Sequence, residues 1–64
     1  MDDELLNTRE TGKYLKRPAG TLSQWRYLGR GPAYIRVGRE VRYRKSDLDA
    51  WLEANRIEPE AVSA

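Results

Sequence analysis

The 64-residue chain contains no cysteine and no histidine. Without cysteine it can form neither a disulfide framework nor a thiolate metal site. Without histidine it lacks the usual zinc ligands and any ordinary side-chain base titrating near neutral pH. Long hydrophobic runs are missing too: the acidic N-terminal region offers nothing longer than Leu5-Leu6. Neither an ordinary signal peptide nor the roughly 20 apolar residues of a membrane span is therefore expected. Ser46 is accounted for as a helix cap, and Ser23 has no base near it in sequence. These absences predict no enzyme, no cofactor, no metal and no membrane partner. They are compatible with a reducing compartment such as the cytoplasm. The length leaves room for one domain, which buries only about 60% of its unfolded surface and must stand on packing alone.

What is present is basic charge, sorted along the chain. The stretch from Lys13 to Lys45 holds ten of the twelve basic residues and a single acid, Glu40, for a net charge of +9. The residues before it sum to −3 and those after it to −4, which the overall +2 conceals. A basic block interleaved with Trp, Tyr and turn residues has the electrostatic form of a nucleic-acid-binding surface, although basic runs are often only solvated faces.

The chain reads as helix, helix, two-stranded ribbon, helix. Residues 1–7 are expected to form a loose acidic N-terminus from which Leu5 and Leu6 reach the core. Thr8 is the expected cap of a first helix starting at Arg9, with Thr11, Tyr14 and Leu15 inward. Lys16-Arg17-Pro18 breaks it, because proline disfavours a helical residue before it. A second helix spans Ala19 to Leu28 with Leu22, Trp25 and Leu28 as its buried stripe. At about 100° per residue its opposite face carries Gly20, Ser23, Gln24 and Tyr27, with Arg26 on the flank. Gly29 is expected as a left-handed terminal residue. Two helices joined by so short a turn have the proportions of a helix-turn-helix. Next, Tyr34–Val37 and Val41–Arg44 alternate as a hairpin around Gly38-Arg39-Glu40. Ile35, Val37, Val41 and Tyr43 are expected inward, and Arg36, Arg42 and Arg44 outward with Arg39 at the tip. Ser46-Asp47-Leu48-Asp49 resembles a capping box opening a last helix, with Leu48, Trp51 and Leu52 apolar, ending near Asn55. Residues 57–64 read as a flexible tail, leaving 8–56 as the folded domain.

Two features of this pattern point to DNA. The exposed face of the second helix offers Gly20, Ser23, Gln24, Arg26 and Tyr27 to base edges in a major groove, Gln24 having the geometry to pair with adenine. The ribbon gathers Arg36, Arg39, Arg42 and Arg44, which repel one another until an anion arrives. Such a ribbon suits phosphates or a narrow minor groove. One or two lysines would be enough merely to guard a strand edge. Lys16, Arg17 and Arg30 are further backbone candidates. Leu22, Trp25, Trp51 and Leu52 are read as core, the two tryptophans as packing anchors rather than stacking platforms.

The run from Leu5 to Asn55 resembles the excisionase-type winged helix-turn-helix proteins, relatives of the DNA-binding domains of MerR regulators. The resemblance rests on Thr8-Arg9-Glu10-Thr11 with Tyr14-Leu15, on Thr21-Leu22 with Trp25-Arg26, and on the Gly31-Pro32 break. It rests most specifically on Val37-Gly38-Arg39, Val41-Arg42-Tyr43-Arg44 and Ser46-Asp47-Leu48-Asp49-Ala50-Trp51-Leu52. Pro18, where a capping side chain belongs, and Gly20, early in the second helix, depart from the pattern. The resemblance implies a mainly α winged helix and a non-enzymatic module binding double-stranded DNA. It further implies a recombination directionality factor that bends attachment-site DNA and assists a phage tyrosine integrase in a bacterial cytoplasm. Cooperative self-association on DNA is expected from the cost of bending a short site and from the acidic flanks, Asp2–Glu4 or Glu53–Glu60, which complement the basic block of a neighbour. A small AlpA-like transcriptional regulator is the alternative. On this view Ala19–Leu28 is the recognition helix and Arg36 to Arg44 the wing.

Overall fold

A computed structural model describes residues 3–60. Its elements run β1 (Leu5–Leu6), α1 (Thr8–Leu15), α2 (Ala19–Leu28), β2 (Ile35–Val37), β3 (Glu40–Arg44) and α3 (Lys45–Ala54). The expected winged helix-turn-helix, mainly α with a small β-hairpin, is what forms, enlarged by one strand. Residues 1–7 were expected to be loose, yet Leu5 and Leu6 pair antiparallel with Arg44 and Tyr43 and give a three-stranded sheet of order β1-β3-β2. The third strand relieves the marginal stability of a two-stranded ribbon. Residues 57–60 carry no regular structure, and 61–64 lie outside the described residues.

The first helix starts one residue earlier than expected. Asn7, not Thr8, is its cap: the Asn7 side chain accepts from the Glu10 amide at 2.7 Å, and the Glu10 carboxylate accepts from the Asn7 amide at 2.9 Å. This reciprocal box satisfies two of the free amides of the first turn. The helix ends on Lys16, held left-handed at φ 58°. The turn into α2 is tight enough that a Cβ on Gly12 would stand 2.6 Å from the Arg17 carbonyl oxygen. Only glycine allows that approach. The second helix begins at Pro18 with no side-chain cap and ends on Gly29 in the expected left-handed conformation.

The core centres on Leu6, Tyr43 and Leu48, with Leu15 and Val41 packed against them, and Leu22 is fully buried. Thr11 is buried as expected, but its hydroxyl has no partner among the described residues. Three of the apolar residues expected inside are not there: Leu5, whose alternation in β1 turns it away from the face that buries Leu6, is 50% exposed, Leu28 51% and Leu52 42%. Trp25 and Trp51 are half-buried, their rings tilted together at 5.4 Å. Tyr14 is also more exposed than its helix position suggests. Its hydroxyl donates to Asp49, which also pairs with Lys45 at 3.5 Å, pinning α1 to α3. The bond to Asp49 raises the Tyr14 hydroxyl above its ordinary pKa, and the Asp49 charge raises Lys45.

Ser46 is not the cap of α3, which begins at Lys45. The cap comes from far away in sequence. The Asp3 carboxylate accepts from the Ser46 amide at 3.1 Å and from the Ser46 hydroxyl at 2.7 Å. An acid at this end also complements the helix dipole. The hydroxyl bond first, and the amide bond second, hold the Asp3 carboxyl below its ordinary value.

Candidate nucleic-acid interface

The hairpin turn decides how the arginines are displayed. Val37 pairs with Glu40, so the loop is the two residues Gly38-Arg39 rather than the expected three. Gly38 adopts φ 63°, as a two-residue hairpin turn of the favoured kind requires. One residue fewer in the loop slips the register by one and turns every β2 side chain to the opposite face. Ile35 now lies across from Arg42, and Arg36 across from Val41. Ile35 and Val37 therefore share the outer face with Arg42 and Arg44, and Val37 is 51% exposed. Arg36 shares the face of Val41 and Tyr43 instead. The predicted outward trio of Arg36, Arg42 and Arg44 is thus divided between two faces.

Pairing divides the arginines again. Arg42 binds the Glu40 carboxylate at 2.5 Å and donates to the Val41 carbonyl at 2.9 Å. Glu40 therefore offsets the wing charge more than its solitary place in the basic block suggests. Arg44 lies 3.3 Å from Asp47 and 4.0 Å from Asp3. Among the described residues, Arg36 and Arg39 have no carboxylate within ion-pair distance, and both are exposed. They are the two unneutralised charges of the wing, with Arg39 in the turn.

The α2 face expected from periodicity to be exposed is so: Gly20, Ser23, Gln24 and Tyr27 all reach solvent, Tyr27 by 87%. Nothing lies within 4 Å of the position a Gly20 Cβ would occupy, so its backbone is open to close approach. Arg26 behaves differently from its predicted companions. It is half-buried, and its Nη1 donates to the Tyr43 hydroxyl at 2.6 Å and to Thr8 Oγ1 at 3.3 Å. Its Nη2 reaches Ser23 Oγ at 3.3 Å, and the guanidinium lies 5.7 Å and 5.9 Å from the ring centres of Tyr34 and Tyr43. It joins α2, the start of α1 and the wing strand β3 in one contact. The residue type gave no sign of this, since a partner in Tyr43 becomes visible only when the chain is folded.

Lys16 is exposed in the turn between α1 and α2. Arg17 and Arg30 are also exposed, and both line a groove with Trp25 and Trp51 that includes no residue of β2 or β3. The described residues contain no cluster of three or more His, Cys, Asp or Glu side chains suited to a metal, and no helix long and apolar enough to cross a membrane. A family model described as a helix-turn-helix domain matches residues 5–56, which includes β1 and every element through α3. No curated protein matches the chain.

Proposed function

The chain belongs to this helix-turn-helix domain family, and from that premise we propose that it is an excisionase-type DNA-binding protein: a recombination directionality factor that binds and bends DNA beside an attachment site. The observation that carries the reading is the placement of an open, uncharged face on α2 beside a wing with two unneutralised arginines. Gly20, Ser23, Gln24 and Tyr27 are suited to base edges in the major groove, and Arg36 and Arg39 to phosphates or the adjoining minor groove. Contact from both elements favours a bent duplex. Smooth bending of a short site costs on the order of 1–6 kcal/mol, which argues for several copies on adjacent sites. Assistance to a tyrosine integrase inside a bacterial cell follows from the same reading. In this reading the catalysis belongs to the integrase.

The test is a mobility shift on attachment-region DNA of the source genome, with a circular-permutation bend assay and a purified recombination reaction on the same fragment. Successive shifted bands, a bend and a raised excision product ratio are expected. A single unbent complex at a promoter, with no change in recombination products, would assign the protein instead to the small regulators. Gln24→Ala should cost about 1–3 kcal/mol on the preferred site and little on others. Equal losses on every sequence would remove α2 from the reading role.

A further inference from the structure

A groove of about 590 Å³ lies between α2 and α3, with no residue of β2 or β3 in its lining. Leu15, Trp25, Trp51 and Leu52 supply its apolar surface, and Arg17 and Arg30 stand at its edge. Helix periodicity places Trp25 some 130° around α2 from the centre of the Gly20–Gln24–Tyr27 face. A duplex on that face therefore leaves the groove open. Among the described residues neither Arg17 nor Arg30 has a carboxylate within ion-pair distance, and both are exposed. Two tryptophans flanked by two free guanidinium groups match a short acidic segment carrying one aliphatic side chain.

The chain itself contains such a segment. Ile57-Glu58-Pro59-Glu60 presents an isoleucine that is 85% exposed, followed by two carboxylates. It does not enter the groove of its own copy. Arg56 ties Glu53 at 3.6 Å and Glu58 at 3.2 Å, and Ile57 stays in solvent although α3 ends beside the groove at Asn55. We propose that this groove receives the Ile57–Glu60 segment of a second copy: isoleucine against the tryptophans, Glu58 and Glu60 against Arg17 and Arg30. The contact is head-to-tail, so each bound copy keeps one groove or one segment free for the next. Its role on adjacent DNA sites rests on the reading above, where tethering raises the effective concentration of neighbouring copies.

The association is tested without DNA, which keeps its failure separate from failure of the DNA-binding reading. Trp25 and Trp51 are the only tryptophans, so intrinsic fluorescence reports on the groove. A peptide of residues 55–60 is titrated into the full chain carrying Glu58→Lys and Glu60→Lys, whose own segment is thereby disabled. The expected result is a saturable fluorescence change with a Kd below ~1 mM. Adding Arg17→Glu and Arg30→Glu to that chain should weaken it at least tenfold, and Arg17→Gln with Arg30→Gln serve if the reversals disturb folding. In sedimentation the unaltered chain should gain mean mass with concentration, and the tail-reversed and groove-reversed variants should each remain monomeric. Their equimolar mixture should associate again, because each now matches the other. No fluorescence change at several millimolar peptide, or equal binding by the arginine variants, would overturn the proposal. So would an unaltered chain that stays monomeric and refuses a peptide its tail-reversed variant accepts, since the groove would then hold its own segment.

Discussion

Arg26 and Arg39 are chemically identical and have different work. Arg39 stands in the wing turn with no acid near it, whereas Arg26 donates to the Tyr43 hydroxyl inside the domain. Tyr43 is 1% exposed, so removing the guanidinium strands a buried hydroxyl. Hydrogen bonds to charged groups contribute roughly 1.5–3 kcal/mol, and loss of one partner leaves the other desolvated. Arg26→Gln should therefore cost about 2–3 kcal/mol in urea unfolding, a large share of what so small a domain has. Tyr43→Phe should cost only about 1 kcal/mol, because the guanidinium keeps Thr8, Ser23 and two aromatic faces. The salt dependence of DNA binding should not change in either variant. A flatter salt slope in Arg26→Gln would mean that its guanidinium reaches phosphate after all.

At the scale of the element, the distance over which a signal acts determined what the sequence disclosed. The bounds of α2 were legible because Pro18 and Gly29 punctuate it at both ends. Its buried stripe was only partly so. A spacing of three residues falls short of a 3.6-residue turn by about 60° each time, so the series Leu22, Trp25, Leu28 walks from the core to the surface. The Asn7 box is visible in the sequence as Asn-x-x-Glu, one residue before Thr8. The hairpin was legible as a hairpin, but its faces hung on one residue of loop length, which composition does not settle. The cap of α3 had no local signal, since Asp3 lies 43 residues before Ser46. Of the candidate interface, the α2 face followed from periodicity alone, whereas the pairing of Arg42 and Arg44 required the fold. The Asp3 contact carries a pH dependence. Its carboxyl titrates below the ordinary 3.8 when folded, so its stabilisation is present above that value and lost as pH falls through the folded one. Asp3→Asn should lower the Tm at pH 7, and the gap from the unaltered chain should close on acidification towards pH 2. A gap independent of pH would mean that the ionised carboxylate does not cap the helix.

For the whole molecule, the charge that matters to DNA is smaller than the +9 of the basic block. Arg26 is committed inside, and Arg42 and Arg44 face Glu40, Asp47 and Asp3, so in the proposed DNA complex Arg36 and Arg39 are the wing cations free to meet phosphate. Each phosphate neutralised by a free cation releases counterions and adds about 0.9 to the slope of log affinity against log salt. Arg39→Ala should flatten that slope by about 0.9, roughly a 3.5-fold change in affinity ratio between 50 and 200 mM salt. Arg42→Ala should flatten it by less than half as much, since Glu40 already neutralises that side chain. The converse change is the sharper measurement. Glu40→Gln removes the paired acid, frees the Arg42 guanidinium for phosphate, and should steepen the slope while tightening binding to duplexes of any sequence. An exposed ion pair is worth only about 0–1 kcal/mol, so the domain should lose little stability. Anisotropy titrations of the three variants on one duplex, at four salt concentrations, decide the matter. If Arg42→Ala and Arg39→Ala flatten the slope equally and Glu40→Gln leaves it alone, phosphate displaces Glu40 on binding, and the wing acts with all of its arginines.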